Sequence, residues 1–258
     1  MTPKLPARCF VSHSYGDAAL IEELRSQLPS SVAPVVFPAI DVRPDQFVSN
    51  VLVEEIRRCD GLIYLRGGAS AASFWVAFEV DYARRLGKPI FAYDPSKSVI
   101  ELDAQSPLTL DVFASYQHAD DIVVNAATDY LARQRGFDVW LDRKRLKAGA
   151  VWEEEIRSNL LDRAKRGYVV CFWSRAAQSS VWLSKELALA AERPQDASDR
   201  VVWAMLEPCQ LPALALDHQQ NVVELFGEDR SLSPHRLDDL MVRLYWLLLR
   251  KSTTVPHT

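Results

Sequence analysis

Hydrophobic and polar positions alternate along the chain with two different periods. Short runs of apolar, β-branched or aromatic residues are separated by longer segments in which apolar residues recur every three or four positions. The short runs predict buried strands, and the longer segments predict amphipathic helices. In the first part of the chain the predicted strands are residues 8–11, 35–37, 61–65 and 89–93.

Three helices are predicted between these strands. The first follows Asp17, a residue type that caps helices, and carries an apolar stripe at helical spacing. The second begins near Phe47, and the third covers residues 73–86 and stops at Gly87. Alternation of strands and helices predicts a parallel sheet with helices on both faces.

The same alternation returns in the second part of the chain. The predicted strands there are residues 111–114, 137–141, 168–173, 201–206 and 221–225, followed by a helix over residues 236–251. Between the two parts, residues 95–107 have no clear period and are rich in Pro, Ser, Lys and Asp, as connections are. The pattern therefore predicts two domains, residues 1–107 and 108–258.

The two parts repeat each other in sequence. Ser12 and Asp17 match Ser115 and Asp120, each 103 positions later. Three further blocks match in the same order at offsets of 100 to 107: residues 54–57 with 154–157, 61–65 with 167–171, and 73–79 with 180–186. Small changes in offset are what loop insertions and deletions produce. The register predicts a tandem duplication.

The second part resembles the Toll/interleukin-1 receptor (TIR) domain family. The resembling segments are a first strand and loop at 111–120, a second strand at 137–142, a BB loop and the next helix at 146–156, and an S-x-W-x-x-x-E stretch at 180–186. The first part resembles a more divergent TIR domain over about residues 7–95, and its BB-like segment, 40–47, lacks the expected glycine. The resemblance implies an α/β fold of two flavodoxin-like, TIR-type domains.

The resemblance also implies two classes of function. Catalytic TIR domains cleave the bond between nicotinamide and ribose in NAD, as NAD glycohydrolases or ADP-ribosyl cyclases, and many bacterial ones act in antiphage defence. Other TIR domains are non-catalytic adaptors that polymerise or recruit a partner through TIR–TIR contacts. Residues 78–91 are in addition similar to nucleoside deoxyribosyltransferases, which use a glutamate at an N-glycosidic bond. Both resemblances assign this chemistry to Glu79.

Glu79 and Glu186 are the candidate catalytic residues. Each follows a tryptophan, Trp75 or Trp182, by four positions, so each pair shares one helix face. A carboxylate there would stabilise the oxocarbenium-like sugar, while the indole would exclude water and stack on a flat ring. A pKa rise of about two units from 4.3 would leave the carboxyl mostly ionised at pH 7. The alternative is a core tryptophan beside a solvated glutamate.

Further candidates for NAD binding lie in loops. Five of them follow the first strand of each part, where open α/β sheets bind ligands: Ser12, His13, Ser115, Tyr116 and His118. Turn formation and solvated loop histidines are the alternatives. Arg145 and Lys147 belong to the cationic BB loop, which would grip a pyrophosphate or an acidic face of a neighbouring TIR domain, unless it is only a solvated run of charge.

Amino-acid composition and net charge exclude several further classes of protein. The net charge is −4, from 30 basic and 34 acidic residues, which excludes a basic field for nucleic acid or an anionic membrane. Four scattered cysteines and the lack of a long apolar run predict no metal, no disulfide, no membrane span and a cytoplasmic location. We expect no cofactor, with NAD as substrate, assembly into a homo-oligomer or filament, and a partner protein of a defence system.

Overall fold

A computed structural model describes residues 3–37, 48–108, 111–135, 137–141, 168–180, 200–216, 221–229 and 231–252. Contacts between residues divide the chain into two compact units, Met1–Leu108 (unit 1) and Thr109–Thr258 (unit 2). Within the described residues each unit holds a five-stranded sheet.

The sheet of unit 1 is built mainly from parallel strands. Its strands are β1 (Arg8–Ser12), β2 (Ala33–Val36), β3 (Gly61–Leu65), β4 (Ile90–Asp94) and β5 (Val99–Asp103), in the spatial order β2-β1-β3-β4-β5. The first four pair in parallel, and all four were predicted within two residues of their observed ends. Consecutive residues of β1 and β3 are buried, so both faces of the sheet are covered.

Strand β5 corrects the prediction of an all-parallel sheet. It lies inside the segment 95–107 that was predicted to be a connection, and it pairs antiparallel with β4. Ile100 is the only apolar residue of β5 that is buried, because β5 is an edge strand. The Asp103 side chain is also inaccessible and accepts hydrogen bonds from Tyr64 and Arg84. One buried apolar side chain leaves no alternating pattern to detect, and the polar composition is typical of edge strands.

Three helices accompany this sheet: α1 (Leu20–Gln27), α2 (Val48–Arg58) and α3 (Phe74–Arg85). All three were predicted, but the predicted cap of α1 is wrong. Asp17 lies in a short 3-10 turn before α1 and makes no cap contact with it; α1 has no side-chain cap. Helix α3 is capped by Ser73, whose hydroxyl accepts from the Val76 N–H at 3.4 Å.

Unit 2 holds a second sheet with the same order of strands. Its strands are β6 (Asp111–Ser115), β7 (Asp138–Leu141), β8 (Tyr168–Trp173), β9 (Val201–Met205) and β10 (Val222–Glu224), arranged β7-β6-β8-β9-β10. All pairings between these strands are parallel. In each unit the second strand is at one edge, followed by the first, third, fourth and fifth, which is the order of flavodoxin-like sheets.

The described helices of unit 2 are α4 (Asp121–Asp129), α5 (Arg175–Gln178), α6 (Ala213–Leu216) and α7 (Pro234–Ser252). Helix α4 continues into a π-helical turn, Tyr130–Gln134. Helix α7 packs on this turn and on β9 and β10 through buried residues at helical spacing, among them Leu237, Leu240 and Leu244. The predicted C-terminal helix is therefore confirmed. None of the helices described in either unit combines the length and the apolar character that crossing a membrane requires.

A buried ion pair joins α7 to the π-helical turn. The Arg135 guanidinium donates to both carboxylate oxygens of Asp238, at 2.7 and 3.0 Å, and both side chains are almost fully inaccessible. The Tyr130 hydroxyl adds a hydrogen bond to Asp238 at 3.0 Å. A bidentate pair of this kind satisfies charges that would otherwise be buried without a partner.

Replacing Arg135 with Ala should therefore destabilise unit 2 strongly. The substitution leaves Asp238 buried without its cation, which costs about 3–5 kcal/mol, whereas Arg133→Ala removes an exposed pair with Asp129 and should cost less than about 1 kcal/mol. Urea unfolding monitored by circular dichroism measures both changes. Equal shifts of the unfolding midpoint in the two variants would contradict the assignment.

Candidate functional site

Parallel strands end at a common edge of each sheet, which we call the carboxyl edge. In unit 1, β1 ends at Ser12 and β3 at Leu65, and their loops lead into α1 and towards α3. In unit 2, β6 ends at Ser115 and β8 at Trp173. Both serines are the last residues of a central strand, and both are almost fully buried. The loops that follow them hold His13, Tyr116 and His118, whereas Trp75 and Glu79 lie on helix α3.

A short hydrogen bond joins the first strand of unit 1 to helix α3. The Ser12 hydroxyl donates to Oε2 of Glu79 at 2.5 Å, across 67 residues of sequence. Glu79 is 6% exposed and Ser12 is fully buried. The structure thus brings together two of the predicted site residues, a carboxyl and a hydroxyl, at the carboxyl edge.

Helix α3 places Glu79 on its buried side. Val76 and Ala83, three residues before and four residues after Glu79, are buried, so the glutamate lies on the same stripe of the helix as its apolar neighbours. This stripe packs on the sheet, because α3 contacts β1, β3 and β4. The alternative of a solvated glutamate therefore does not hold for Glu79.

Burial changes the protonation state of this carboxyl. Loss of solvation raises the pKa of Glu79 from 4.5 to about 8, although the Ser12 hydroxyl acts in the opposite direction. Among the residues that the structure describes, Ser12 is the only hydrogen-bond partner of the carboxyl. The expected rise of two units was too small, and Glu79 is mostly protonated at pH 7, not mostly ionised.

Trp75 presents an aromatic surface near the start of the same helix. Its side chain is 39% exposed, so it is not a core residue. Its ring packs edge-on against Phe74, at 5.3 Å between ring centroids, and against Phe78, at 6.0 Å. These contacts hold the indole while part of it remains open to solvent, one helical turn before Glu79.

The loops of unit 1 contain a cluster that the sequence interpretation missed. The Asp17 carboxylate accepts from the N–H of Ala69 at 3.2 Å, and from the N–H and the hydroxyl of Ser70, both at 2.6 Å. The hydrogen bond from the Ser70 hydroxyl is the largest cause that lowers the pKa of Asp17, and the Ser70 and Ala69 N–H groups add to it. Burial acts in the opposite direction but is outweighed. The sequence did hold one indication of this cluster, because Asp17 and Asp120 occupy matching positions in the two parts of the chain.

His13 lies between Ser12 and this cluster. Its ring is half-buried, and Nδ1 lies 3.5 Å from the Val11 carbonyl oxygen. The positive charge that the imidazole can carry also helps to lower the pKa of Asp17. His13 is therefore near the carboxyl edge, as its place in the sequence suggested, and interacts with its own loop.

The corresponding loop of unit 2 has a related arrangement. Ser174, directly after β8, donates its hydroxyl to Asp120 at 2.6 Å and accepts from the Ala177 N–H at 3.1 Å. Burial raises the pKa of Asp120, although the Ser174 hydroxyl opposes it. Tyr116 is buried and donates to the Asp121 carboxylate at 2.9 Å, whereas His118 is exposed.

Four of the candidates fall outside the described residues: Glu186, Trp182, Arg145 and Lys147. Their roles remain predictions from the sequence. Among the residues that are described, no group of three or more His, Cys, Asp and Glu side chains is arranged to hold a metal ion. In unit 1 the described candidates that lie together are the buried Glu79 carboxyl, the Ser12 hydroxyl and, one helical turn away, the partly exposed Trp75 indole.

Comparisons with known proteins identify the family of the second part of the chain. The model of the TIR domain family matches residues 112–240, which is half of the chain. A putative cyclic ADP-D-ribose synthase from Cytobacillus dafuensis is 31% identical over 94 residues, covering 34% of this chain and 25% of the relative. The chain thus spans about a quarter of the length of the curated relative it matches.

A solved structure was also found: the TIR domains of the activated Roq1 resistosome, which directly recognises the pathogen effector XopQ. It is 16% identical and covers 57% of this chain and 86% of that chain, with a TM-score of 0.29.

Replacing Glu79 with Gln should change the pH dependence of stability. A raised pKa means that the stability of the wild type is fully present below about pH 4.5 and is lost as the pH rises through about 8. The amide cannot ionise, so the variant should gain up to a few kcal/mol over the wild type at pH 9 and little at pH 4.5. Urea unfolding at pH 4.5, 7 and 9 measures this difference.

Glu22→Gln is the matched control, because Glu22 is an exposed glutamate of α1 in the same unit. Its effect should be small across the same pH range. A Glu79→Gln variant whose stability relative to the wild type is independent of pH would show that the carboxyl is ionised in the folded protein.

Proposed function

This chain belongs to the TIR domain family, and on that premise we propose that it cleaves NAD between nicotinamide and ribose. The catalytic group in this proposal is a helix-borne glutamate at the carboxyl edge. Glu186 has this role in unit 2, and Glu79 is its counterpart in unit 1, which we propose to be a divergent second TIR domain.

The observation that carries the proposal is the buried contact between Ser12 and Glu79. Burying a glutamate almost fully, with one hydroxyl as its described partner, lowers the stability of the folded protein. Groups of this kind are concentrated at functional sites. The sequence repeats both members, as Ser115 and Glu186, and Ser115 is buried at the end of β6 as Ser12 is at the end of β1. We therefore expect Glu186 to lie against Ser115.

The reaction needs a negative charge beside the sugar. When the bond between C1′ of the ribose and the nicotinamide nitrogen breaks, its electron pair leaves with nicotinamide, and the ribose carries an oxocarbenium-like charge. Water then adds to C1′ and releases a proton, or the adenine ring of the same molecule adds and closes a cyclic product. A carboxylate would stabilise the cation in either case.

The protonated state of Glu79 is compatible with this chemistry. The nicotinamide ring of NAD is positively charged, and an opposite charge within about 4–6 Å lowers the pKa of a carboxyl. Binding of NAD would thus ionise the glutamate and place its charge where the sugar cation develops. The empty site would keep the carboxyl neutral, which limits the cost of burying it.

The other candidates would bind the rest of the dinucleotide. Trp75, or Trp182 in unit 2, offers a ring on which a flat base can stack. His13 and His118 lie at the carboxyl edge, where either can contact a phosphate. Arg145 and Lys147 supply the positive charge of the BB loop, which in catalytic TIR domains typically completes the site of a neighbour. Activity would then require assembly through TIR–TIR contacts.

Unit 2 is the better candidate for the working site. Its loops follow the family pattern, and the family model matches it directly. The relative named a putative cyclic ADP-D-ribose synthase supports cyclisation as the outcome, with ADP-ribose as the alternative product. We extend this proposal to a role in antiphage defence, in which a partner protein from the same defence system acts with this chain.

A non-catalytic adaptor is the competing function. In that case the buried glutamates would be structural, and both units would serve as surfaces that polymerise or recruit a partner. The BB loop with Arg145 and Lys147 would then bind an acidic face of another TIR domain. This function needs no cleavage of NAD.

Replacing the working glutamate with Ala should lower the rate of nicotinamide release at least about a hundredfold, or about 2.7 kcal/mol of barrier. Purified wild type, Glu79→Ala and Glu186→Ala are incubated with NAD, and nicotinamide is followed by chromatography. Glu22→Ala and Glu228→Ala are controls, because both glutamates are exposed. Equal rates for the wild type and both test variants would remove these glutamates from the mechanism.

The dependence of the rate on assembly distinguishes the enzyme hypothesis from the adaptor hypothesis. For the enzyme, the rate per molecule should rise with protein concentration, and Arg145→Glu should lower both the rate and the assembly measured by light scattering. Lys97→Glu is the control, because it reverses an exposed charge of unit 1. Assembly that Arg145→Glu abolishes, with no nicotinamide released at any concentration, would instead support the adaptor.

A further inference from the structure

We infer that Asp17 is a positioning residue for the site of unit 1: its carboxylate fastens the loop after β1 to the loop after β3 and so determines where Ser12 meets Glu79. Asp120 joins the corresponding loops of unit 2. The inference rests on the proposed function in one respect only, that the carboxyl edge is the substrate side.

The contacts of Asp17 join two loops that are far apart in sequence. Its three hydrogen bonds to Ala69 and Ser70 cross 52 and 53 residues. The Ser70 hydroxyl also accepts from the Ser14 N–H at 2.9 Å. Each of the two loops therefore both donates hydrogen bonds to the other and accepts them from it. We call this group of contacts, made by Asp17, Ser14, Ala69 and Ser70, the loop clasp. Asp17 and Ser70 are buried within it.

The loop after β3 is shaped to admit the carboxylate. Gly67 and Gly68 have φ angles of +104° and +57°, which side chains other than glycine rarely adopt. A Cβ on Gly68 would lie 2.5 Å from Oδ1 of Asp17, so a side chain there would displace the carboxylate. Two glycines thus turn the backbone so that consecutive N–H groups point at one anion.

The loop clasp and the Ser12–Glu79 contact form one closed path. From Ser70 the chain reaches Ser73, which caps α3, and α3 carries Glu79 back to Ser12. Ser12 is two residues before Ser14, which returns to Ser70. Because each step is a hydrogen bond or a short covalent segment, loosening the clasp should loosen the contact between Ser12 and Glu79.

Unit 2 supplies a second and independent instance. Asp120, the repeat partner of Asp17, accepts from Ser174 in the loop after β8, across 54 residues. Ser174 in turn caps α5 through the Ala177 N–H. Asp120 accepts one described hydrogen bond from that loop, whereas Asp17 accepts three, so the clasp of unit 1 is the tighter of the two.

The test compares Asp17→Ala, Asp17→Asn and Ser70→Ala in the full chain. Asp94→Ala is the matched control, because Asp94 also accepts from the N–H and the hydroxyl of a serine, Ser96, but only two residues away. Three properties are measured: hydrogen exchange of the Ser70 amide, the titration of Glu79 by carboxyl carbon NMR, and the values of kcat and KM for NAD.

We expect Asp17→Ala to accelerate exchange at Ser70 at least tenfold and to move the Glu79 titration towards that of an exposed glutamate. Ser70→Ala should act in the same direction. Asp17→Asn should have an intermediate effect, because its amide oxygen can still accept from Ser70 while its NH2 group faces the Ala69 N–H. Asp94→Ala should change neither property. If unit 1 turns over NAD, Asp17→Ala should lower kcat at least tenfold and leave KM within threefold.

The result that would overturn the inference is faster exchange at Ser70 with an unchanged Glu79 titration, because the clasp would then be a local structural feature. Unchanged exchange would also overturn it. Asp120→Ala, with Asp229→Ala as control, tests kcat in the same way if Glu186 proves essential. If the wild type releases no nicotinamide, the proposed function fails, while exchange and titration still decide the inference.

Discussion

Burial of the Glu79 carboxyl against the Ser12 hydroxyl is the interaction around which the carboxyl edge of unit 1 is organised. An acid in this position must stay neutral or meet a positive charge, because the surroundings cannot solvate an anion. The cap of α3, the apolar stripe around Glu79 and the loop clasp all maintain this placement. These contacts together keep the carboxyl away from water and beside Ser12.

The two units share an arrangement of strands, serine and aspartate, but the aspartate makes more described hydrogen bonds in unit 1 than in unit 2. Both have the same strand order, a buried serine at the end of the first strand, and an aspartate that holds the loop after the third strand. In unit 1 the aspartate is firmly bound and its pKa is lowered, whereas in unit 2 it has one described contact with that loop and its pKa is raised.

Several features were accessible from the sequence because they rest on local patterns. The four parallel strands of unit 1, the C-terminal helix, and the location of Ser12 and Glu79 in matching blocks of the repeat follow from periodicity and register. Strand β5 was not accessible, since one buried residue leaves no pattern. The binding of Asp17 across 53 residues was not accessible either, since a cap and a clasp use the same residue type.

The sequence by itself determined the order of the parallel strands and the resemblance to the TIR domain family, because these depend on neighbouring residues and on similarity along the chain. Only the tertiary structure decided that Glu79 is buried with a raised pKa, that Trp75 is partly open, and that Asp17 joins two loops. The physical reason is that solvation and hydrogen-bond partners are set by residues distant in sequence, which meet only when the sheet and helix α3 have packed together.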